Sequence, residues 1–177
     1  MTPSVVTIVI FFVFLGVVSL LVVWYFFHVV SMLRGAPYVE SKKKNIEFAK
    51  AVLANQKKIA DIGSGDGSVL LALAETTRAE LHGYEINPLL VLYTKWRIKR
   101  AGLASRVFVH WQDIWSQNFH SFDGIYVYML PSFLGRLSSK LKTKLPPQAL
   151  IVSACFPFRD QKPLHATESA FLYTIEK

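Results

Sequence analysis

The chain has 177 residues, is 52% hydrophobic, and carries 20 Lys and Arg against 12 Asp and Glu, a net charge of +8. With a mean hydropathy of +0.32 it is too apolar for a disordered protein. The single cysteine, Cys155, excludes an internal disulfide framework and a multi-thiolate zinc site, and the five histidines show no ligand spacing, so no metal is expected.

Charge is unevenly placed. Every Lys, Arg, Asp and Glu lies after residue 33, and charged residues make up about 22% of that part, an ordinary value for a globular domain. Residues 5–33 are apolar but for Thr7, Gly16, Ser19, His28 and Ser31. As a helix they would reach about 43 Å, more than the hydrocarbon thickness of a bilayer. A transmembrane anchor over residues 1–34 is therefore expected, with Trp24 and Tyr25 near an interface. A cleaved signal peptide would start basic and have a shorter apolar core. A buried helix would need a partner surface that 144 residues hardly supply. Arg34 and Lys42–Lys44 follow the run and nothing basic but the terminal amine precedes it. The positive-inside rule then puts the N-terminus outside and the following domain in the cytoplasm, or in the matrix of a mitochondrion. The bacterial cytoplasmic membrane is the first expectation, since no Arg- and Ser-rich transit segment precedes the run.

Residues 35–58 read as a linker and a leading helix, and residues 59–177 as one domain. Pro37 keeps Ala36 extended. Asn45 is expected to cap a helix with Ile46, Ala49, Val52 and Leu53 on one face. Strands are expected at 58–62, 81–86, 107–111, 124–129 and 149–156. Helices are expected at 69–77, from Pro88 to Gly102, and at 132–144, with a hairpin near 165–168 and 171–176. On the Pro88 helix, Leu89, Leu92, Tyr93 and Trp96 read as the packing face. This alternation predicts an α/β fold: a doubly wound, mostly parallel, Rossmann-like sheet with helices on both faces. Ligands of such sheets sit outside the carboxyl ends of the strands.

The polar residues at those ends form a series. Asp61-Ile-Gly63-Ser-Gly65-Asp66-Gly67 follows the first strand. Glycines there let the backbone turn sharply and approach a ligand, and the next helix offers free N–H groups. The spacing G-x-G-x-G differs from a dinucleotide fingerprint. Asp61 and Asp66 would repel a pyrophosphate but favour a sulfonium and an ammonium, so S-adenosylmethionine is the expected ligand. Glu85 ends the second strand, where a carboxylate accepts ribose hydroxyls. Asp113 and Ile114 follow the third strand and suit an adenine ring. For any one of these carboxylates the plainer reading is a helix cap or a surface charge.

These motifs, with Gly83-Tyr-Glu-Ile-Asn87-Pro88, resemble the seven-strand S-adenosylmethionine-dependent methyltransferases. Together with Ala36-Pro-Tyr-Val39, Asp113-Ile-Trp115 and Ser153-Ala-Cys-Phe-Pro-Phe158 they resemble one branch, the membrane-anchored protein-lysine methyltransferases of the ATP synthase c-subunit and the adenine nucleotide translocase, in its small prokaryotic form. The sequence departs from the pattern at Glu40, where Pro is usual. At Tyr128-Met129-Leu-Pro131 it lacks the Asn-Pro-Pro-Tyr of many amide and adenine methylators. The resemblance implies that Asp61, Gly63, Gly65, Asp66, Gly67, Glu85, Asn87, Asp113, Ile114 and Met129 bind the donor. It implies Tyr38, Tyr128 and Pro131 on the catalytic, acceptor side, and a lysine of a membrane-bound protein as acceptor. Cys155 is expected to pack as a small apolar residue. Other readings change the acceptor to a lipid or an apolar small molecule, or make the chain an inactive scaffold. A nucleic-acid partner, motivated by Lys95, Arg97, Lys99 and Arg100, is not expected, because no RNA-binding aromatic motif is present.

Overall fold

The computed structural model describes residues 4–34 and 40–175. The linker with Pro37 and Tyr38 lies outside the described residues. Helix α1 (Val5–Arg34) is followed by α2 (Lys43–Leu53), β1 (Lys58–Ile62), α3 (Ser68–Thr76), β2 (Glu80–Glu85) and α4 (Pro88–Arg100). Then come β3 (Val107–Trp111), β4 (Gly124–Val127), α5 (Pro131–Lys144), β5 (Leu150–Ala154), β6 (His165–Ala166) and β7 (Ala170–Thr174). The seven strands form one sheet in the order β3-β2-β1-β4-β5-β7-β6. The first five are parallel, and β7 and β6 are antiparallel additions.

Parallel strands covered on both faces are buried along their length. In β1, Ile59, Ala60, Asp61 and Ile62 are all buried, with Ile59 in one core and Ala60 and Ile62 in the other. One core holds α2, α3 and α4 against the sheet through Ala49, Leu53, Leu70, Leu73, Val91 and Ile98. The other holds α5 through Leu134, Leu137 and Leu141. Right-handed crossovers require this division, because the chain winds outward from β1 to β3 and then returns across the sheet to β4. Between β3 and β4 no helix forms among the described residues, and Phe119 and Phe122 of that segment are buried in the α5-side core. The reversal beside β1 is the switch point where ligands of such sheets bind.

Two local expectations are corrected. Asn45 is not a cap: α2 starts two residues earlier, without a side-chain cap. Asn45 is buried instead, accepting the Ser169 hydroxyl at 2.6 Å and lying 3.5 Å from the Cys155 sulfur. On α4 the buried stripe is Val91, Thr94 and Ile98, whereas Leu89, Leu92, Tyr93 and Trp96 are exposed. A less apolar stripe wins because the small Thr94 fits against the glycine loop, where its hydroxyl donates to the Gly65 carbonyl at 3.0 Å.

α1 carries a 23-residue apolar stretch, Val5–Phe27, long enough to cross a membrane, and none of its most apolar window is buried. Burial inside the domain therefore does not account for it.

Candidate active site

β1 delivers Asp61 to the switch point, 2% exposed. Its Oδ2 has no hydrogen-bond partner among the described residues, nor has the buried Ser64 hydroxyl close by in the loop. Burial pushes the Asp61 carboxyl up to about 8, with Glu85 and then Asp66 adding to the rise. A buried carboxylate with a free oxygen is costly unless a cation or donor meets it.

The loop after Asp61 winds through left-handed backbone at Gly63, Gly65 and Gly67, with φ of +77°, +54° and +77°. Gly63 and Ser64 donate their N–H groups to the Tyr84 carbonyl, at 2.9 and 3.1 Å. Beyond its two chain neighbours, none of the described residues has an atom within 4 Å of where a Gly63 side chain would begin, so the loop is open on that side. At Gly67 the case is opposite: an added Cβ would sit 2.4 Å from the Thr94 methyl.

Glu85, at the end of β2, ties the loop to its own strand. It accepts from Gly65 N at 3.0 Å on one oxygen and from Ile86 N and Asn87 N at 2.8 and 2.7 Å on the other. Burial raises its proton affinity, and those three N–H bonds oppose the rise. The oxygen that accepts from Gly65 retains acceptor capacity for a hydroxyl. Asp113 stands beyond β3, half-buried, with Oδ1 accepting from Trp115 N at 3.0 Å. Ile114 beside it is buried. The Gln112 N–H bonds the Glu85 carbonyl at 3.1 Å and so holds the ends of β2 and β3 together.

Asp66 and Asn87 have structural partners. Asp66 accepts from Ser68 N at 3.0 Å, from the Ser68 hydroxyl at 2.7 Å and from the Arg97 guanidinium of α4. Asn87 caps α4, accepting from Leu89 N at 3.0 Å.

The ends of β4 and β5 form the other half. Tyr128 is half-buried beside Cys155, and the interaction with that neighbour, together with burial, pushes its hydroxyl up to about 12. It therefore stays protonated at neutral pH. Phe156 lies 6.5 Å from the Tyr128 ring, centroid to centroid. Met129 is buried in the α5-side core and Pro131 is exposed at the start of α5. Cys155 has left-handed backbone, φ +64°, and its neighbours include the polar groups of Asn45 and Tyr128. The apolar packing expected of it is thus incomplete. Ser64, Thr94, Asn45 and Arg97 were not among the residues expected here. Only Thr94 left a sequence signal, its i, i+3, i+7 spacing with Val91 and Ile98.

A parallel switch-point sheet with this glycine loop and these carboxylates defines the S-adenosylmethionine-dependent methyltransferase class. The unpartnered Asp61 oxygen, the open side of Gly63 and the spare acceptor capacity of Glu85 fit a donor carrying an ammonium and a ribose. Residues 61–165 match the family described as the ANTKMT methyltransferase domain, and the chain belongs to that family. It is 31% identical over 132 residues to the lysine N-methyltransferase of the ATP synthase c-subunit from mouse (Mus musculus), covering 74% of this chain and 53% of that protein. It is 32% identical over 144 residues to the mouse adenine nucleotide translocase lysine N-methyltransferase, covering 78% and 63%. The chain thus spans between a half and two thirds of the length of these relatives. Among solved structures, an RNA methyltransferase from Salinibacter ruber in complex with S-adenosyl-L-homocysteine matches with a TM-score of 0.72 and 27% identity, covering 77% of this chain and 94% of that one.

Proposed function

We propose that the chain is a membrane-tethered, S-adenosylmethionine-dependent methyltransferase that modifies lysine side chains of a membrane-associated protein. The observation that carries the proposal is the series of carboxylates on successive strand ends, Asp61, Glu85 and Asp113, with the buried Asp61 oxygen unpartnered. The names of the two curated relatives support lysine as the acceptor. The domain reading, with residues 1–34 as anchor, 35–58 as linker and leading helix and 59–177 as catalytic domain, goes with it.

The bound donor supplies an electrophilic methyl group on a sulfonium, open to in-line displacement. The chain's own residues supply position and charge. Asp61, Gly63, Gly65 and Gly67 would hold the methionine end, with the Asp61 carboxylate facing the ammonium. Glu85 would accept the ribose hydroxyls, and Asp113 and Ile114 would hold the adenine. Asp66 and Asn87 serve by shaping the loop and the start of α4. On the acceptor side, Tyr128, Met129 and Pro131 would line the approach, with Tyr38 from the linker. The Tyr128 hydroxyl, held protonated, presents its oxygen lone pair to an incoming amine. A dry site lowers the pKa of a lysine and favours the neutral nucleophile.

The apolar α1 supports a single membrane span, and Arg34 and Lys42–Lys44 after it support an N-terminus outside, with the domain on the cytoplasmic side of a bacterial membrane or the matrix side of a mitochondrial one. Tethering raises the effective concentration of bilayer-bound acceptors. The test is label transfer from methyl-tritiated donor to membranes containing the full chain. Label recovered as methyl-lysine after acid hydrolysis is the expected result. Label extracted with the lipids would move the acceptor to a lipid.

A further inference from the structure

Helix α4 presents an apolar face that stays exposed among the described residues. Leu92 is 63% exposed and Trp96 52%, with Leu89 and Tyr93 also exposed beside them. Tyr93 and Trp96 stack at 5.8 Å, and the guanidiniums of Arg97 and Arg100 lie over them at 5.7 and 5.4 Å. Trp111, 66% exposed, joins the face near the first turn of α4, its indole N–H donating to the Ile86 carbonyl at 2.9 Å. Lone exposed apolar residues are ordinary on a protein surface, but a contiguous aromatic patch with a basic rim is not.

Charge selects the occupant. No Asp or Glu occurs from Pro88 to Arg106, whereas Lys95, Lys99 and Arg100 are exposed there; Arg97 is paired with Asp66, and Arg106 donates to the Ala74 and Thr77 carbonyls. Trp, Tyr and Leu bordered by Lys and Arg are the composition that settles into the headgroup region of an anionic bilayer. The tether brings that surface within reach. Lys42 is eight positions after Arg34, so even fully extended the linker spans no more than about 29 Å. α2 and α4 lie in the same layer of the fold. They also start at the same, carboxyl, end of the strands: Asn45 of α2 touches Cys155 just past β5, and the cap of α4 directly follows β2. The exposed Lys42–Lys44 therefore stand on the carboxyl-end side of the sheet, where α4 also begins and which is the rim of the candidate active site.

We propose that the outward face of α4, with Trp111 beside it, rests in the headgroup region of an anionic membrane and turns the active-site rim toward the bilayer. This rests on α1 being a membrane span. Docking by α4 would hold the acceptor half near residues that emerge from the lipid surface, and would restrict acceptors to lysines close to that surface.

The full chain in nanodiscs tests the inference. Discs of phosphatidylcholine with phosphatidylglycerol, containing lipid brominated near the headgroup, are compared with discs of phosphatidylcholine alone. The reading is the emission difference between wild type and Trp96→Phe, which isolates Trp96. In anionic discs brominated lipid is expected to remove about half or more of that difference, as for an interfacial indole. The effect should weaken in zwitterionic discs and at high salt. Leu92→Glu with Tyr93→Glu, measured in the same way, should abolish the quenching and leave S-adenosylhomocysteine binding unchanged. Trp96 emission quenched by aqueous iodide but not by brominated lipid would overturn the inference. So would emission shielded from both, which would mean that a protein covers the face. A chain that does not stay with the discs would overturn the membrane span and this inference with it, whereas a chain that docks but transfers no methyl group would leave the inference standing and count against the proposed activity.

Discussion

The two halves of the candidate site are built differently. The half at the ends of β1, β2 and β3 is held through backbone groups of the glycine loop and the strand ends. Glu85 gathers three N–H groups, the Gly63–Gly67 loop hangs from the Tyr84 carbonyl, and Thr94 clamps Gly65. The half at the ends of β4 and β5 is held by side chains from distant parts of the chain: Asn45 on Ser169 and Cys155, and Tyr126 on Ser41. Backbone cradles suit a ligand common to a whole class of enzymes. Side-chain contacts change more readily by substitution, which suits the half that must fit a particular acceptor.

The largest effect should come from filling the cradle. Gly67→Ala puts a Cβ 2.4 Å from the Thr94 methyl at φ +77°. Left-handed backbone and overpacking together should cost about 2–4 kcal/mol, seen as a lowered thermal unfolding temperature of the full chain in detergent. Thr94→Ala combined with it should recover part of the loss; no recovery would remove Thr94 as the clamp.

Asp61→Asn comes next. A charge-assisted contact to the donor's ammonium is worth roughly 1.5–3 kcal/mol, so donor affinity should fall at least about tenfold. The variant should also change the pH response without donor. The Asp61 carboxyl is pushed up to about 8 by burial and its acidic neighbours, so between its ordinary value and that value the folded chain keeps a proton that the unfolded chain has lost. Stability should therefore fall as pH rises from about 4 to about 8, and Asp61→Asn should flatten that slope. An unchanged slope would mean that Asp61 is not the group responsible.

On the acceptor half, Tyr128→Phe should slow methyl transfer about tenfold, one lost hydrogen bond in the transition state, with donor affinity held. A fall in donor affinity instead would place Tyr128 on the wrong side of the comparison. The smallest effect is that of Asp66→Asn. It weakens the ion pair with Arg97 and the acceptance from Ser68, so stability should drop by about 1 kcal/mol, the order of a lost cap. Donor affinity should stay within about twofold if Asp66 only shapes the loop.

The same division marks what was legible in the sequence. β1 and β3 were bounded to the residue, and the carboxylate series pointed to the donor class, because strand ends and glycine turns are local signals. The partners of Thr94, Asn45 and Arg97 were not legible, since each lies tens of positions away, although the spacing of Thr94 with Val91 and Ile98 marked it as a packing position. α4 misled because its most apolar stripe faces outward, while the stripe that packs was chosen by the space beside Gly67. Cys155 misled for a similar reason: its left-handed backbone and its approach to Tyr128 arise only once β4, β5 and α2 have come together.

The most direct test of the account is calorimetric donor binding to the full chain in detergent, wild type beside Glu85→Ala. Glu85 both organises the glycine loop and faces the ribose position, so the account predicts clear binding by the wild type and none measurable by the variant at the same concentrations. Equal binding by both would contradict the placement of the donor at the carboxyl ends of β1 and β2. A folded wild type that binds no donor would contradict the cofactor itself.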